Sequence, residues 1–231
     1  MLKSAGFEKR FEEINLKAVN SALKAREETG YKDVIIAGSI SHRYPIADGD
    51  TKSNASIQVS KLELQEATEE MALLLTNNGC DIILLEMMYR PERMKIIFDI
   101  VKKLNIPIWV CFSCRKSDKG EILSLTDETV VPFSEMIAIS KEYNFDAWGI
   151  MHTSEDILGE CIKMIKANFN GPILSYPDTG GWISPNWIFD SIIEPEKFKE
   201  KANGWFALGA QIIGGCCGTS PDHIRALATL K

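Results

Sequence analysis

Apolar residues along the chain fall into two alternating patterns. Six short segments are apolar almost without interruption: "DVIIAGSI" from Asp33, "DIILLEMM" from Asp81, "IPIWVCFSC" from Ile106, "DAWGIM" from Asp146, "GPILSY" from Gly171 and "AQIIGG" from Ala210. None alternates apolar with polar positions, so each reads as a strand buried on both faces, as in a parallel sheet. The stretches between them have helical spacing. Phe7, Phe11, Ile14, Ala18, Ala22 and Leu23 line one face of a first helix. "SEDILGECIKMIKA" follows the fourth segment, with Ser154 as the expected N-cap. "TSPDHIRAL" opens the last helix, with Ser220 at the N-cap, Pro221 at N1 and Asp222 in the first turn.

Strand and helix alternate throughout, which leaves an open doubly wound sheet or a (β/α)8 TIM-barrel type. "AGSISHRYP" after the first strand is not a glycine-rich phosphate loop. Residues capable of chemistry stand instead at many strand ends: Glu86, Cys114, His152, Tyr176, and Cys216 with Cys217. Gathering a site from many strand C-termini is the habit of the barrel. The expected fold is therefore a barrel of this type, incomplete, with about six parallel strands present. Residues 1–231 are expected to form a single domain.

Composition narrows the function classes. A net charge of -6 gives no reason to expect nucleic acid or an anionic membrane surface as partner. No apolar run approaches the roughly 20 residues that span a bilayer, and "MLKSAGFEKRFEEINLK" lacks the apolar stretch of a secretory signal. A cytoplasmic location is expected, with the six cysteines reduced. Metal binding, catalysis and plain burial are then the readings for the thiols.

Cys216 and Cys217 are adjacent, and neighbours in a regular strand point to opposite faces. They could share a metal only where the strand breaks, and Gly214, Gly215 and Gly218 supply that freedom. Zinc commonly takes three protein ligands and keeps a fourth position open. His152, at another strand end, is the best third ligand by position. The bland alternative is two buried small hydrophobes and a surface histidine; the flanking glycines and the matching histidine favour the metal. Cys111 and Cys114 form a CxxC spacing within an apolar strand, where burial is the better reading. His42 and Arg43 read as a solvated loop after the first strand. Trp182 and Trp187 could wall a cationic ligand or simply pack. His223 reads as an ordinary first-turn residue, and Cys80 and Cys161 as packing residues.

"IIGGCCGTSPDHIRAL" closely resembles the C-terminal zinc motif of the homocysteine S-methyltransferases. Collinear matches run along the chain. "VIIAGSISHRYP" resembles the family's Ala-Gly-Ser-Ile-Gly-Pro strand end, and "GCDIILLEMM" its Gly-Ala-Asp strand ending in Glu-Thr. "PIWVCFSC" resembles Pro-Val-Trp-Val-Ser-Phe, and "PILSYPDTGG" the Tyr-Pro-Asn-Ser-Gly segment. The resemblance implies a (β/α)8 barrel with zinc at its C-terminal mouth, and methyl transfer to homocysteine giving methionine. Cys216 and Cys217 would be zinc thiolates. Glu86 would hold the substrate's amino group, and Ser39, Tyr176 and Asp178 would line the pocket. The partners implied are homocysteine and a small methyl donor.

Two departures qualify the match. "GIMHTSEDI" places His152 where the family has the cysteine of Gly-Val-Asn-Cys-Thr-Ser. Cys2His is a reasonable zinc site, less negative than three thiolates. The family's leading strand–helix–strand, with Asp-Gly-Gly and Thr-Asn-Thr-Tyr, has no counterpart here. The chain therefore reads as N-terminally truncated relative to the family, with an open barrel edge that a second copy or a partner would cover. The alternative function is an inactive or repurposed zinc-binding barrel fragment that binds a thiol or partner without turnover.

Overall fold

The computed structural model describes residues 2–3, 5–42, 59–126, 129–183, 186–188 and 192–230, with the backbone alone for 181–183 and 186–187. A 3-10 turn (Glu8–Arg10) leads into α1 (Phe11–Thr29), followed by β1 (Ala37–Ser41), α2 (Lys61–Asn77), β2 (Ile82–Met88) and α3 (Pro91–Val101). Next come β3 (Ile108–Phe112), the short strands β4 (Cys114–Lys116) and β5 (Ile122–Ser124), α4 (Phe133–Ser140), β6 (Ala147–Ser154) and α5 (Leu158–Lys166). The chain then forms β7 (Ile173–Asp178), β8 (Gly181–Ile183), β9 (Asn186–Ile188), α6 (Pro195–Leu208), β10 (Ile212–Ile213) and α7 (Pro221–Leu227).

The main sheet has six strands in the order β1-β2-β3-β6-β7-β10, and every neighbouring pair is parallel. Spatial order equals chain order. A doubly wound sheet reverses at a switch point, so this is the sheet of a TIM-barrel type. The six strands fall on the six apolar segments. Two antiparallel pairs, β4-β5 and β8-β9, follow β3 and β7. Among the described residues β1 pairs only with β2, and β10 only with β7.

The aspartates that open two of these segments have a definite task. Asp81 Oδ2 accepts the Ile36 N–H at 2.7 Å, and Asp146 Oδ2 accepts the Ile108 N–H at 2.8 Å. Each carboxylate thereby satisfies an amide at the start of the adjoining strand, which a parallel ladder leaves exposed. Pairing begins one residue later on each strand.

The core has two layers. The larger lies between the sheet and its helices, centred on Leu85, Phe98, Phe112, Phe133, Trp148 and Phe198. The smaller, on the concave face, joins Cys111, Ala147, Met151 and Leu174. Burial on both faces holds in the middle of the sheet but not at β1, where only Gly38 and Ile40 are buried. Ala37, Ser39 and Ser41 are exposed because no described strand lies beyond them. Val34 and Ile35 stand outside the strand, 49% and 53% exposed.

Two helical expectations are corrected. Only Val19 of α1 is fully buried, Ala18 is exposed, and Phe7 precedes the helix at 46% exposure. The helix meets few partners, so its stripe is only half covered. Ser154 is the last residue of β6 rather than a cap; α5 starts at Leu158 after Ile157 and has no side-chain cap. Ser220 caps α7 as expected, with Pro221 at N1.

Gly149 sits where β6 meets β7. A Cβ there would stand 2.5 Å from the Leu174 Cβ and 2.8 Å from its carbonyl oxygen. Gly149→Ala forces the two strands apart and is expected to lower the unfolding free energy by about 1–3 kcal/mol. A fall in the urea midpoint at unchanged m-value checks it.

Candidate metal centre and substrate pocket

The sheet is irregular at two of its strand ends. The β6–β7 register shifts between Met151 and Ser154, and the β2–β3 register shifts between Leu85 and Met88. Bulges of this kind re-aim side chains and collect next to active sites. Inside them lie His152 (φ 43°) and Met87 (φ 54°), the non-glycine residues with positive φ among the described residues. Hydroxyls hold the β6 bulge in place. Ser113 and Thr153 both donate to the Met151 carbonyl, at 3.0 and 2.8 Å, and Cys114 N–H donates to Thr153 Oγ1 at 2.9 Å.

The cysteine pair arrives from the other side. β10 ends at Ile213, yet hydrogen bonds to the β7 segment continue. Gly214 N–H donates to Ser175 O, Cys216 N–H to Pro177 O and Thr179 N–H to Cys217 O, each at 3.0 Å. The chain then turns at Gly218 (φ 82°), whose Cβ would stand 2.8 Å from Thr179 Oγ1. Of the three glycines only Gly218 needs the left-handed conformation. Gly215 is required for a different reason: a Cβ would overlap the Thr219 side chain at 2.3 Å. Gly214 shows no such requirement, since its nearest contact would be an ordinary 3.7 Å.

These two placements bring His152, Cys216 and Cys217 together. His152 Nδ1 lies 4.0 Å from Cys216 Sγ and 3.7 Å from Cys217 Sγ, and the sulfurs are 3.8 Å apart. A tetrahedral zinc with ordinary Zn–S and Zn–N bonds has ligand–ligand edges of about 3.5–3.8 Å, so the triangle fits such an ion with little adjustment. Charge points the same way. The adjacent Cys217 thiol, together with burial, raises the Cys216 pKa, while His152 opposes the rise. Two thiolates this close require a cation between them. The three residues thus form a set able to hold a metal ion.

Asp178 stands beside the set. Its Oδ2 lies 3.4 Å from His152 Nδ1, and its Oδ1 accepts the Gly180 N–H at 2.9 Å. Burial raises its pKa, opposed by the Gly180 hydrogen bond and by His152. Ser39, Glu86 and Tyr176 form a second group. Ser39 Oγ donates to Glu86 Oε2, and Tyr176 OH donates to Glu86 Oε1 at 3.1 Å. Burial keeps Tyr176 protonated well above the ordinary range, with Cys111 and Glu86 adding to the effect. All the expected site residues therefore belong to these two neighbouring groups on the C-terminal ends of the strands.

Other sequence expectations divide. Cys80, Cys111, Cys114 and Cys161 are buried, as their packing role requires. Trp182 and Trp187 are paired in the backbone register of β8 and β9; their side chains lie outside the described residues, as does Arg43. His42 is not a solvated loop residue: it is 1% exposed, with its ring edge-on to Tyr89. Arg93 donates to its carbonyl at 2.6 Å, so the end of β1 is anchored to α3. His223 is also more than a first-turn residue, being buried and hydrogen-bonded through both nitrogens. Sequence reasoning missed Met87, Ser113 and Thr153; the exposure of a strand end carries no signal for a bulge.

A barrel-type sheet with two thiols and an imidazole gathered at its strand ends is the arrangement of a barrel enzyme with a candidate metal site at that mouth. The chain belongs to the homocysteine S-methyltransferase family, whose sequence model matches residues 1–230. It is 25% identical over 234 residues to homocysteine S-methyltransferase 1 of Arabidopsis thaliana, covering 94% of this chain and 70% of that protein. It is 24% identical to the selenocysteine methyltransferase of Astragalus bisulcatus, covering 85% and 58%. Against homocysteine S-methyltransferase YbgG of Bacillus subtilis the identity is 27%, with coverage of 84% and 60%. The chain thus spans from 58% to 70% of the length of these relatives. The fold matches the Escherichia coli homocysteine methyltransferase MmuM in its metallated form, at TM-score 0.75 and 21% identity, over 98% of this chain and 73% of that one. No helix among the described residues is long and apolar enough to cross a membrane.

Burial, aided by Arg93 and Arg90, lowers the His42 pKa from 6.5 to about 3. The folded state keeps this ring neutral where the unfolded chain protonates it. Its contribution is complete above pH 6.5 and is lost as pH falls towards 3, with a slope of about 1.4 kcal/mol per pH unit. Urea titrations between pH 7 and 4 are expected to show a shallower decline for His42→Asn than for the wild type.

Proposed function

We propose that the chain methylates the thiol of homocysteine, giving methionine, with His152, Cys216 and Cys217 holding zinc. The observation that carries this is the triangle of one imidazole nitrogen and two sulfurs, with sides of 3.7, 3.8 and 4.0 Å, in a chain of this family. Two sulfurs and an imidazole suit zinc among the common divalent ions, as carboxylate-rich sites suit magnesium or calcium. Bound there, zinc would supply the Lewis acidity that keeps a substrate thiol ionised near neutral pH.

The remaining steps belong to the protein's own groups. Glu86 receives the substrate ammonium. Its two oxygens are already turned by the Ser39 and Tyr176 hydroxyls, so the carboxylate meets the substrate in one orientation. Tyr176 acts as a fixed donor, because its phenol stays protonated across the working range. Asp178, held by Gly180, places its carboxylate 3.4 Å from the same His152 nitrogen that faces the sulfurs, and so adds negative charge beside the proposed metal position. In the reaction a sulfur–carbon bond forms, the bond between methyl and donor breaks, and the thiol proton is released to solvent. A small donor such as betaine or S-methylmethionine would supply the methyl.

Purified under reducing conditions, the chain is expected to carry about one zinc per molecule. His152→Ala and Cys217→Ser are expected to weaken zinc affinity by at least about a hundredfold, since loss of a ligand exceeds the 10–100-fold cost of losing its support. Elemental analysis and competition with a chromogenic chelator measure this, and full zinc retention by both variants would sink the proposal. Glu86→Gln is expected to keep its zinc but raise KM for homocysteine about tenfold, roughly the value of one charge-assisted contact. Methionine formation at varied homocysteine gives that result.

A further inference from the structure

His223 is a buried ring that neither the metal ligands nor the carboxylate pocket uses. It is third in α7, 4% exposed, with its ring edge-on to Phe198 at 5.5 Å between centroids. Its two nitrogens have fixed and opposite roles. The Ile193 carbonyl, 2.7 Å from Nε2, can only accept, so the ring hydrogen is on Nε2. Nδ1 is then an acceptor. It takes the Ser220 backbone N–H at 3.1 Å and lies 3.0 Å from the Ser220 hydroxyl.

An ordinary capping box closes with Glu or Gln at this position and ties the helix start to itself. The imidazole closes the same box and adds a second tie, to the segment between β9 and α6. Ser220 is also the far end of the loop that carries the sulfurs. Its near end is fixed to β7 through Cys216 N–H and Cys217 O. Between the two ends, Thr219 returns to the Cys216 carbonyl through its N–H at 3.3 Å and its hydroxyl at 2.7 Å. Gly218 packs directly on Thr179. The contacts with β7 hold the Cys216–Gly218 part of the loop, and His223 ties its far end, Ser220, to Ile193 in the segment before α6.

We propose that His223 is a positioning residue for the metal loop: by tying Ser220 to Ile193 it holds Cys216 and Cys217 at the spacing a metal ion requires. This rests on the metal reading above. The ring touches neither sulfur, so its effect passes through Ser220 and the backbone. The glutamine side chain offers an acceptor and a donor on neighbouring atoms, about the separation of the two ring nitrogens, and can make both ties. Leucine fills similar space and makes neither.

The test compares His223→Leu, His223→Gln and Ile97→Val with the wild type. Ile97→Val shortens a fully buried side chain in α3 and serves as a control for general destabilisation. Release of zinc to a chromogenic chelator is expected to quicken at least about tenfold in His223→Leu, the range seen when support for a metal ligand is lost. His223→Gln should stay within about threefold of the wild type, and Ile97→Val should not quicken release. In the metal-free proteins, amide exchange over residues 214–220 should rise in His223→Leu alone. Equal release and exchange in all four proteins, or equal acceleration in His223→Leu and Ile97→Val, overturns the positioning role. If the wild type takes up no zinc, the metal reading fails separately, and the exchange measurement decides the role of His223 alone.

Discussion

The Met151 carbonyl lies where β6 stops following β7. In a regular parallel ladder it would serve the neighbouring strand; here it accepts from the hydroxyls of Ser113 and Thr153 instead. That substitution keeps a buried carbonyl satisfied while the register slips. It also permits His152 to stand at φ 43°, a conformation that costs a residue with a Cβ about 1–2 kcal/mol. Such a cost persists only where the surroundings leave no alternative. The surroundings are particular: two hydroxyls, and the Cys114 amide that fixes one of them. The imidazole meets the sulfurs because this carbonyl is bound twice from within its own part of the sheet.

A second register shift, at β2, takes in Glu86 and Met87. The two irregularities act on a rigid support. Behind the sheet the large outer core holds the strands against their helices, with Phe98, Phe112, Phe133 and Phe198 fully buried. In front, the concave face carries only a small apolar cluster, and above it the polar groups face the mouth. The side chains of the candidate site are therefore held by hydrogen bonds at the strand ends, while most of the buried apolar packing lies on the opposite face. This separation is the usual economy of a barrel, in which the C-terminal ends serve chemistry and the body serves packing.

Much of this was legible in the amino-acid order. Uninterrupted apolar runs mark buried parallel strands, and all six appear where the runs lie. The adjacent cysteines among glycines, paired with a histidine at another strand end, indicate a shared ligand site before any geometry is known. What escaped is local and polar. A bulge depends on which hydroxyl reaches which carbonyl, and Ser113 and Thr153 look in sequence like any strand residues. The burial of His42 depends on Tyr89 and Arg93, about fifty positions away. His223 looked ordinary because its second partner, Ile193, lies thirty residues earlier in an irregular segment. Conversely, Ser154 resembled a helix cap because its residue type suits one, but pairing with Asp178 on β7 outweighs that preference.

Since strands sit beside one another in the order in which they are encoded, each one finds its neighbour already in existence when it leaves the ribosome. The sheet can grow strand by strand, each described strand after β1 joining one already made. His152 belongs to the fourth strand of the sheet and is made before Cys216 and Cys217, which follow the sixth. The triangle of imidazole and sulfurs therefore closes only after the six strands that give it shape have been made.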